Sequence, residues 1–274
     1  MYGCLIRHDF PFAFPPSATT PCRTVRFRHS PKPLISTLPC RTVTFQPTQG
    51  RNWHLEHRSM PTPFFRDHWH LHIEGLGSFY WHRHGTTIRY RLADPQAPEA
   101  ALHYWIIRIL LPLYLHLVYD YIVLHAASYL IDGKARLLLA PAGWGKSEYI
   151  RRLDRLGVPI LSDDVTVIER RGACYRVFPS YPYTRRGREP ETLGEPLRHF
   201  YRLTSPLVGL YTPCYNNEIP CSVRRLTGVR KYRVLEKARE FRLPWREEKQ
   251  IGEWMDFIRS VDLWQMPLTL GSSS

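Results

Sequence analysis

The stretch from Ala135 to Leu156, ARLLLAPAGWGKSEYIRRLDRL, constrains the chain more than any other. A run of aliphatic residues with strand character leads straight into Ala140-Pro-Ala-Gly-Trp-Gly-Lys-Ser147, and the segment after it carries apolar residues at helical spacing. The loop fits the pattern GxxxxGKS, with Ala140 in place of the first glycine. Strand, glycine-rich loop and helix in that order form an anion cradle. Successive backbone N–H groups and the helix N-terminus face the phosphates, Lys146 reaches the outer ones, and the Ser147 hydroxyl suits a magnesium ion. Gly145 allows close backbone approach. A Cβ at Ala140, if that position needs a positive φ, costs on the order of 1 kcal/mol.

Leu161-Ser162-Asp163-Asp164 closes a short apolar strand one helix further on. Adjacent carboxylates at a strand end can divide labour, one helping to hold magnesium and the other taking the proton of an attacking hydroxyl. Upstream, YIVLHAASYLI precedes ARLLLAP with Asp132-Gly133 between them, a pair suited to a tight hairpin. Downstream, VPILSDDVTVIERRGACYRVF reads as strands with a turn near Arg171-Gly172.

Taken together, His125-Ala-Ala, Asp132-Gly-Lys, GWGKSE over 143–148 and LSDD over 161–164 resemble the core of the HPr kinase family, which is similar to the nucleotide site of phosphoenolpyruvate carboxykinases. The match is tightest from Leu124 to Ile168 and looser from Ala100 to Leu226. The resemblance implies an α/β P-loop kinase domain, ATP with Mg²⁺, and a site of Gly143, Trp144, Gly145, Lys146, Ser147 and Glu148. It implies Asp163 as the general base with Asp164 beside it, Ser147 and Asp164 on the metal, and His125 near the phosphates. His125 also reads as an ordinary strand histidine, and Glu148 as an acidic residue complementing a helix dipole. The chain has no clear counterpart of the separate N-terminal domain of true HPr kinases or of their C-terminal signature. Its layout is closer to shorter HPr-kinase-like proteins, some of which phosphorylate a precursor peptide. The implied acceptor is a hydroxyl, such as serine, on a peptide, protein or small molecule. An ATP binder without transfer activity, or a phosphatase-like protein, is the alternative within this class.

The chain has 274 residues with 43% hydrophobic content, enough for a sizeable core. Its net charge of +14 suits an acidic partner, and a basic nucleic-acid-binding module is the less favoured alternative from another class. Residues 1–52 hold seven Lys or Arg against Asp9, which supplies +6 of the total. They are rich in Pro, Ser and Thr, repeat PCRTVRF as PCRTVTF, and read as an unstructured basic extension. Residues 53–97 alternate as half-buried strands of a small β-rich layer ahead of the kinase-like domain over 98–274. Within that layer His68, His70 and His72 share one face, as do His82 and His84; without acidic or cysteine partners they read as a polar sheet face rather than a metal site. Asp94-Pro95 suits the opening of a helix through Leu102, Ile106, Ile109, Leu113 and Leu117, kinked at Pro112. Charges break the apolar stretch 100–130, the start lacks a long apolar region, and the six cysteines form no CxxC pair. The expectation is a cytoplasmic protein with reduced thiols and no transmembrane segment, its oligomeric state open. Arg185, Arg186 and Arg188 form a basic loop suited to phosphates or to an acidic substrate.

Overall fold

A computed structural model describes residues 1–10, 23–31, 40–45, 51–58, 68–185, 191–214, 222–243 and 247–267, with side chains described from 251 onward in the last stretch. The fold is mixed α/β with several sheets, compatible with an α/β nucleotide-binding architecture, and the chain divides into two units.

Unit one comprises Met1, Gly3–Asp120 and Gly187–Leu193. Its seven strands are β1 (Cys4–Arg7), β2 (Arg23–His29), β3 (Arg41–Phe45), β4 (Trp53–Arg58), β5 (His68–Ile73), β6 (Gly77–His82) and β7 (Thr87–Leu92), in the sheet order β1-β2-β7-β6-β5-β4-β3. Three of these strands fall within residues 1–52, which corrects the reading of that segment as an unstructured extension. The duplicated RTVRF and RTVTF are themselves strands: Val25 and Phe27 are buried, and the Phe45 ring stacks on Trp53 at 3.8 Å. The period-2 alternation was present at Val25 and Phe27, but Pro- and Ser-rich flanks outweighed it. Both β1–β2 and β2–β7 are parallel pairings, so these strands depend on long-range partners that no local pattern announces.

The sheet buries one face, through Leu55, Trp69, Leu71, Phe79, Trp81 and Ile88 among others. At Gly77, with φ near +152°, a Cβ would sit 2.4 Å from the Arg91 carbonyl oxygen, so only glycine fits. The unit's helix runs from α1 (Glu99–Trp105) through a π-helical turn (Ile106–Leu110) into α2 (Leu111–Tyr119). The boundary expected at 97/98 therefore moves: the helix clusters with the β layer, and unit two starts beyond Asp120. Tyr114 anchors the helix, its hydroxyl donating to the Gly85 carbonyl at 2.5 Å and its ring lying edge-on to Trp81. The π turn precedes Pro112, where a kink was expected; a proline cannot donate to the carbonyl four residues back, and the wider turn re-spaces the ladder there. Asp94 does not cap the helix, because its carboxylate accepts from Gln96 N in a turn upstream. By length and composition Glu99–Tyr119 could cross a membrane, yet 83% of its most apolar window is buried, as in a core helix.

Unit two comprises Tyr2, Tyr121–Arg186 and Gly194–Ser274. Its strands are β8 (Ile122–Ile131), β9 (Lys134–Leu139), β10 (Ile160–Ser162), β11 (Val165–Arg171), β12 (Cys174–Phe178), β13 (Tyr183–Thr184), β14 (Glu195–Pro196), β15 (Ser205–Pro213), β16 (Arg224–Leu226) and β17 (Leu263–Met266); its helices are α3 (Lys146–Arg155), α4 (Gly228–Ala238) and α5 (Glu247–Ser260). Asp132 and Gly133 both take positive φ, 52° and 71°, and close the expected β8–β9 hairpin. Pairing runs from β8 to β11, β12, β15, β9 and back to β8, so five strands close a ring; β10 adds beside β8, and β17 and β16 extend from β15. Alternate residues of β8 enter two cores. Leu124, Ala126 and Leu130 join Leu235, Trp254 and Phe257, while Ala127 and Tyr129 join Ile150 and Leu153 of α3. Burial on both faces explains why YIVLHAASYLI and ARLLLA are almost uninterrupted apolar runs. Cys214 is disulfide-bonded while Cys4, Cys40 and Cys174 are in no disulfide, so the thiols are not uniformly reduced; a pairing of this kind depends on spatial proximity rather than sequence spacing.

Candidate functional site

The loop between β9 and α3 is built as its sequence implies. Gly143 and Gly145 have φ of 82° and 81°, a region unfavourable to residues with a Cβ, and Gly145 caps α3. Its carbonyl accepts from Tyr149 N at 2.9 Å. Ala140 is absent from the positive-φ residues, so the strain expected of its Cβ does not arise. The methyl is buried, and the Ala140 carbonyl is in use: it accepts from Lys146 Nζ at 2.6 Å. Trp144, before Gly145, is 41% exposed.

Lys146 is 93% buried, and its ammonium also contacts His125 Nε2 at 2.9 Å. An ammonium only donates, so Nε2 is the acceptor and the imidazole proton sits on Nδ1. Nδ1 faces Asp164 Oδ1 at 3.2 Å and Glu240 Oε2 at 3.8 Å. His125 is delivered by β8 opposite Val165 of β11, which places it beside the Asp163-Asp164 turn. Glu240 arrives from the far end of the chain, where Arg239 bridges to Leu124 and Glu240 N donates to the Val123 carbonyl. No motif marks Glu240 in the sequence; the residue lies beyond α4, and only the bridge to β8 brings it to His125.

Asp163 sits in the irregular connection between β10 and β11, steadied by Ser162 Oγ donating to the Val165 carbonyl at 2.6 Å. Its Oδ2 accepts from Thr184 Oγ1 at 2.9 Å and from Arg185 N at 3.0 Å, whereas Oδ1 is buried and accepts nothing. Burial raises the pKa of this carboxyl; the Arg185 N–H opposes that, the Asp164 charge adds to it, and the nearby Ser147 and Thr184 hydroxyls oppose it further. From the basic loop, then, Thr184 and the Arg185 backbone meet the acidic pair. Arg186 and Arg188 lie outside the described residues.

Glu148 stands apart from this cluster. It is exposed and pairs with Arg151 at 2.5 Å and Arg155 at 3.2 Å along α3, the Arg151 hydrogen bond leading the causes that lower its pKa. The structure thus brings together His125, Lys146, Ser147, Asp163 and Asp164, adds Glu240, Thr184 and Arg185, and leaves Glu148 on the helix surface. Among the described residues no three His, Cys, Asp or Glu side chains converge as a metal cage. Mg²⁺ commonly takes one or two carboxylates and fills its shell with water and phosphate oxygens. The hydroxyl of Ser147 and the carboxylate of Asp164 are hard oxygen donors that fit such an ion.

Strand, positive-φ glycine loop and helix, with paired carboxylates in the connection from β10 to β11, are consistent with an α/β nucleotide-binding fold. No protein-family model matches the chain, and no curated protein matches it. Solved structures do, among them the Hpr(Ser) kinase/phosphatase from Coxiella burnetii, a distant neighbour at 14% identity and a TM-score of 0.34, with the match covering 53% of this chain and 85% of that one.

Proposed function

We propose that this chain is an ATP-dependent phosphotransferase of the HPr-kinase-like type, moving the γ-phosphoryl group of ATP to a hydroxyl of a peptide, protein or small-molecule acceptor. The observation that carries the reading is the convergence of Lys146, Ser147 and the Asp163-Asp164 pair at the mouth of a loop with two left-handed glycines. The N–H groups at the start of α3 and the Lys146 charge attract the phosphates. Lys146 exchanges the Ala140 carbonyl and His125 for phosphate oxygens. Asp163, its Oδ2 held by Thr184 and Arg185 N, takes the proton of the acceptor hydroxyl on its unbonded Oδ1; a carboxyl with a raised pKa is the better base for that step. Asp164 and Glu240 keep the His125 proton on Nδ1. Ser147 and Asp164 would hold Mg²⁺, which when bound supplies charge neutralisation on the phosphates.

A cytoplasmic setting, where ATP is plentiful, goes with this reading. The test is incubation with γ-phosphate-labelled ATP and Mg²⁺ in the presence of hydroxyl-bearing peptides encoded by neighbouring genes. Label transferred by the wild type and absent with Asp163→Asn supports the proposal. ATP binding with no transfer to any acceptor would instead favour the non-transferring ATP binder.

A further inference from the structure

The outward face of the unit-one sheet is almost purely polar and strongly basic. On β2 and β7 the apolar partners point inward, leaving Arg26 and Arg28 beside Arg89 and Arg91 on the other side. Arg28 and Arg89 are direct cross-strand partners in the parallel register. Residues so paired lie about 5 Å apart and their diagonal neighbours about 7–8 Å apart, so the four guanidiniums form a compact block. Like charges placed opposite each other are destabilising. Arg28, Arg89 and Arg91 are exposed and make no side-chain hydrogen bond or ion pair among the described residues, and Arg26 has a 3.4 Å contact with Thr86 Oγ1. Glu56, a carboxylate of the same face, lies on β4 three strands beyond β7 and is engaged there by Arg58 and His70. Among the described residues these guanidiniums have no carboxylate partner, Asp9 beside β2 accepting from His29 N instead, and an anion from outside would relieve the repulsion.

We propose that this face docks an extended acidic peptide, with Asp or Glu at alternate positions, running along β2 and β7. Alternate residues of an extended chain repeat about every 6.7 Å, the spacing from Arg26 to Arg28 and from Arg89 to Arg91. A guanidinium meets a carboxylate through two parallel hydrogen bonds. The aromatic neighbours favour a peptide over single-stranded nucleic acid. His70 is stacked on Tyr80 at 4.2 Å and 9°, and His54 lies parallel to His72, so these rings turn their flat faces to each other and not outward to a base. The proposal stands on unit one and does not depend on the nucleotide site.

The test uses the full chain at low and moderate salt with three labelled probes: an alternating Glu-Thr dodecapeptide, its Gln-Thr counterpart and a thymidine dodecanucleotide. The Glu-Thr peptide is expected to bind about tenfold or more tighter than either of the others, and to weaken as salt rises. Arg28→Ala with Arg89→Ala, and separately Arg91→Ala, should each weaken it, the double variant by about tenfold or more. Arg233→Ala, which removes an exposed charge from α4, should leave it unchanged. Circular dichroism checks folding, and Arg91→Ala at an exposed position keeps the test alive if the double variant unfolds. Failure of the Glu-Thr peptide to bind, equal loss with Arg233→Ala, or tighter oligonucleotide binding that disappears with the arginine substitutions would each overturn the proposal.

Discussion

Asp163 concentrates the conflict between stability and chemistry in unit two. Its pKa is raised above the unfolded value, so the native state holds the proton more tightly than the unfolded chain does. The carboxyl is neutral in both states at low pH and costs nothing there. The penalty grows as pH rises through the unfolded value toward the folded one, and is fully present above it. Asp163→Asn removes the charge and keeps the shape, so at neutral pH it should raise the melting temperature, by about 2–4 °C for each kcal/mol relieved, with the gain shrinking in acid. The same substitution should lower transfer by about 10²–10⁴-fold with ATP affinity nearly unchanged, because an amide cannot act as a base. Lys146→Ala should weaken affinity and turnover together, as expected of a charge that serves bound phosphates. Titration calorimetry and labelled transfer on each variant separate the two patterns. A third expectation belongs to His125: ¹⁵N NMR at neutral pH should find the neutral ring protonated on Nδ1. Protonation on Nε2 would contradict the Lys146 contact, and Glu240→Gln should alter the Nδ1 signal if that carboxylate faces it.

At the scale of elements, the segments richest in proline test the fold most severely. Val25 and Phe27 of β2 are 0% and 1% exposed, and Phe10 lies against Phe27 at 5.4 Å. Phe27→Ala should therefore destabilise unit one by about 3–5 kcal/mol, a range set by the cavity left in a closed core. Removal of residues 1–45 deletes β1, β2 and β3 and leaves β7 and β4 as open edges. The truncated chain should aggregate or lose the cooperative transition of unit one in calorimetry. An intact unit-one transition after truncation would show the three strands to be dispensable. This reverses what the bare composition of residues 1–52 suggests, since it is the burial of alternate residues, not the surrounding serines and prolines, that decides whether such a segment orders.

For the molecule as a whole, ligand linkage gives the most direct measurement. ATP with Mg²⁺ binding only the native state should stabilise unit two by about 2.7 kcal/mol at a hundredfold excess over Kd, read as an upward shift in its melting transition. No shift at saturating nucleotide in a folded sample would remove the basis for phosphotransfer. Much of the candidate site's geometry was legible from residues alone because it is local: a loop needing two left-handed glycines, a lysine opening the helix and a carboxylate pair following the next strand are all short-range requirements on the backbone. The hairpin at Asp132-Gly133 and the doubly buried runs of β8 and β9 were legible for the same reason. What only the tertiary structure decided is long-range. Parallel pairing made strands of Cys4–Arg7 and Arg23–His29, the Arg239–Leu124 bridge carried Glu240 to His125, the backbone at Ala140 never entered the strained region, and cross-strand register set Arg28 against Arg89. Propensity and periodicity describe how a segment meets a surface, but which surface it meets depends on partners far along the chain, whose contacts exist only once the sheet has closed.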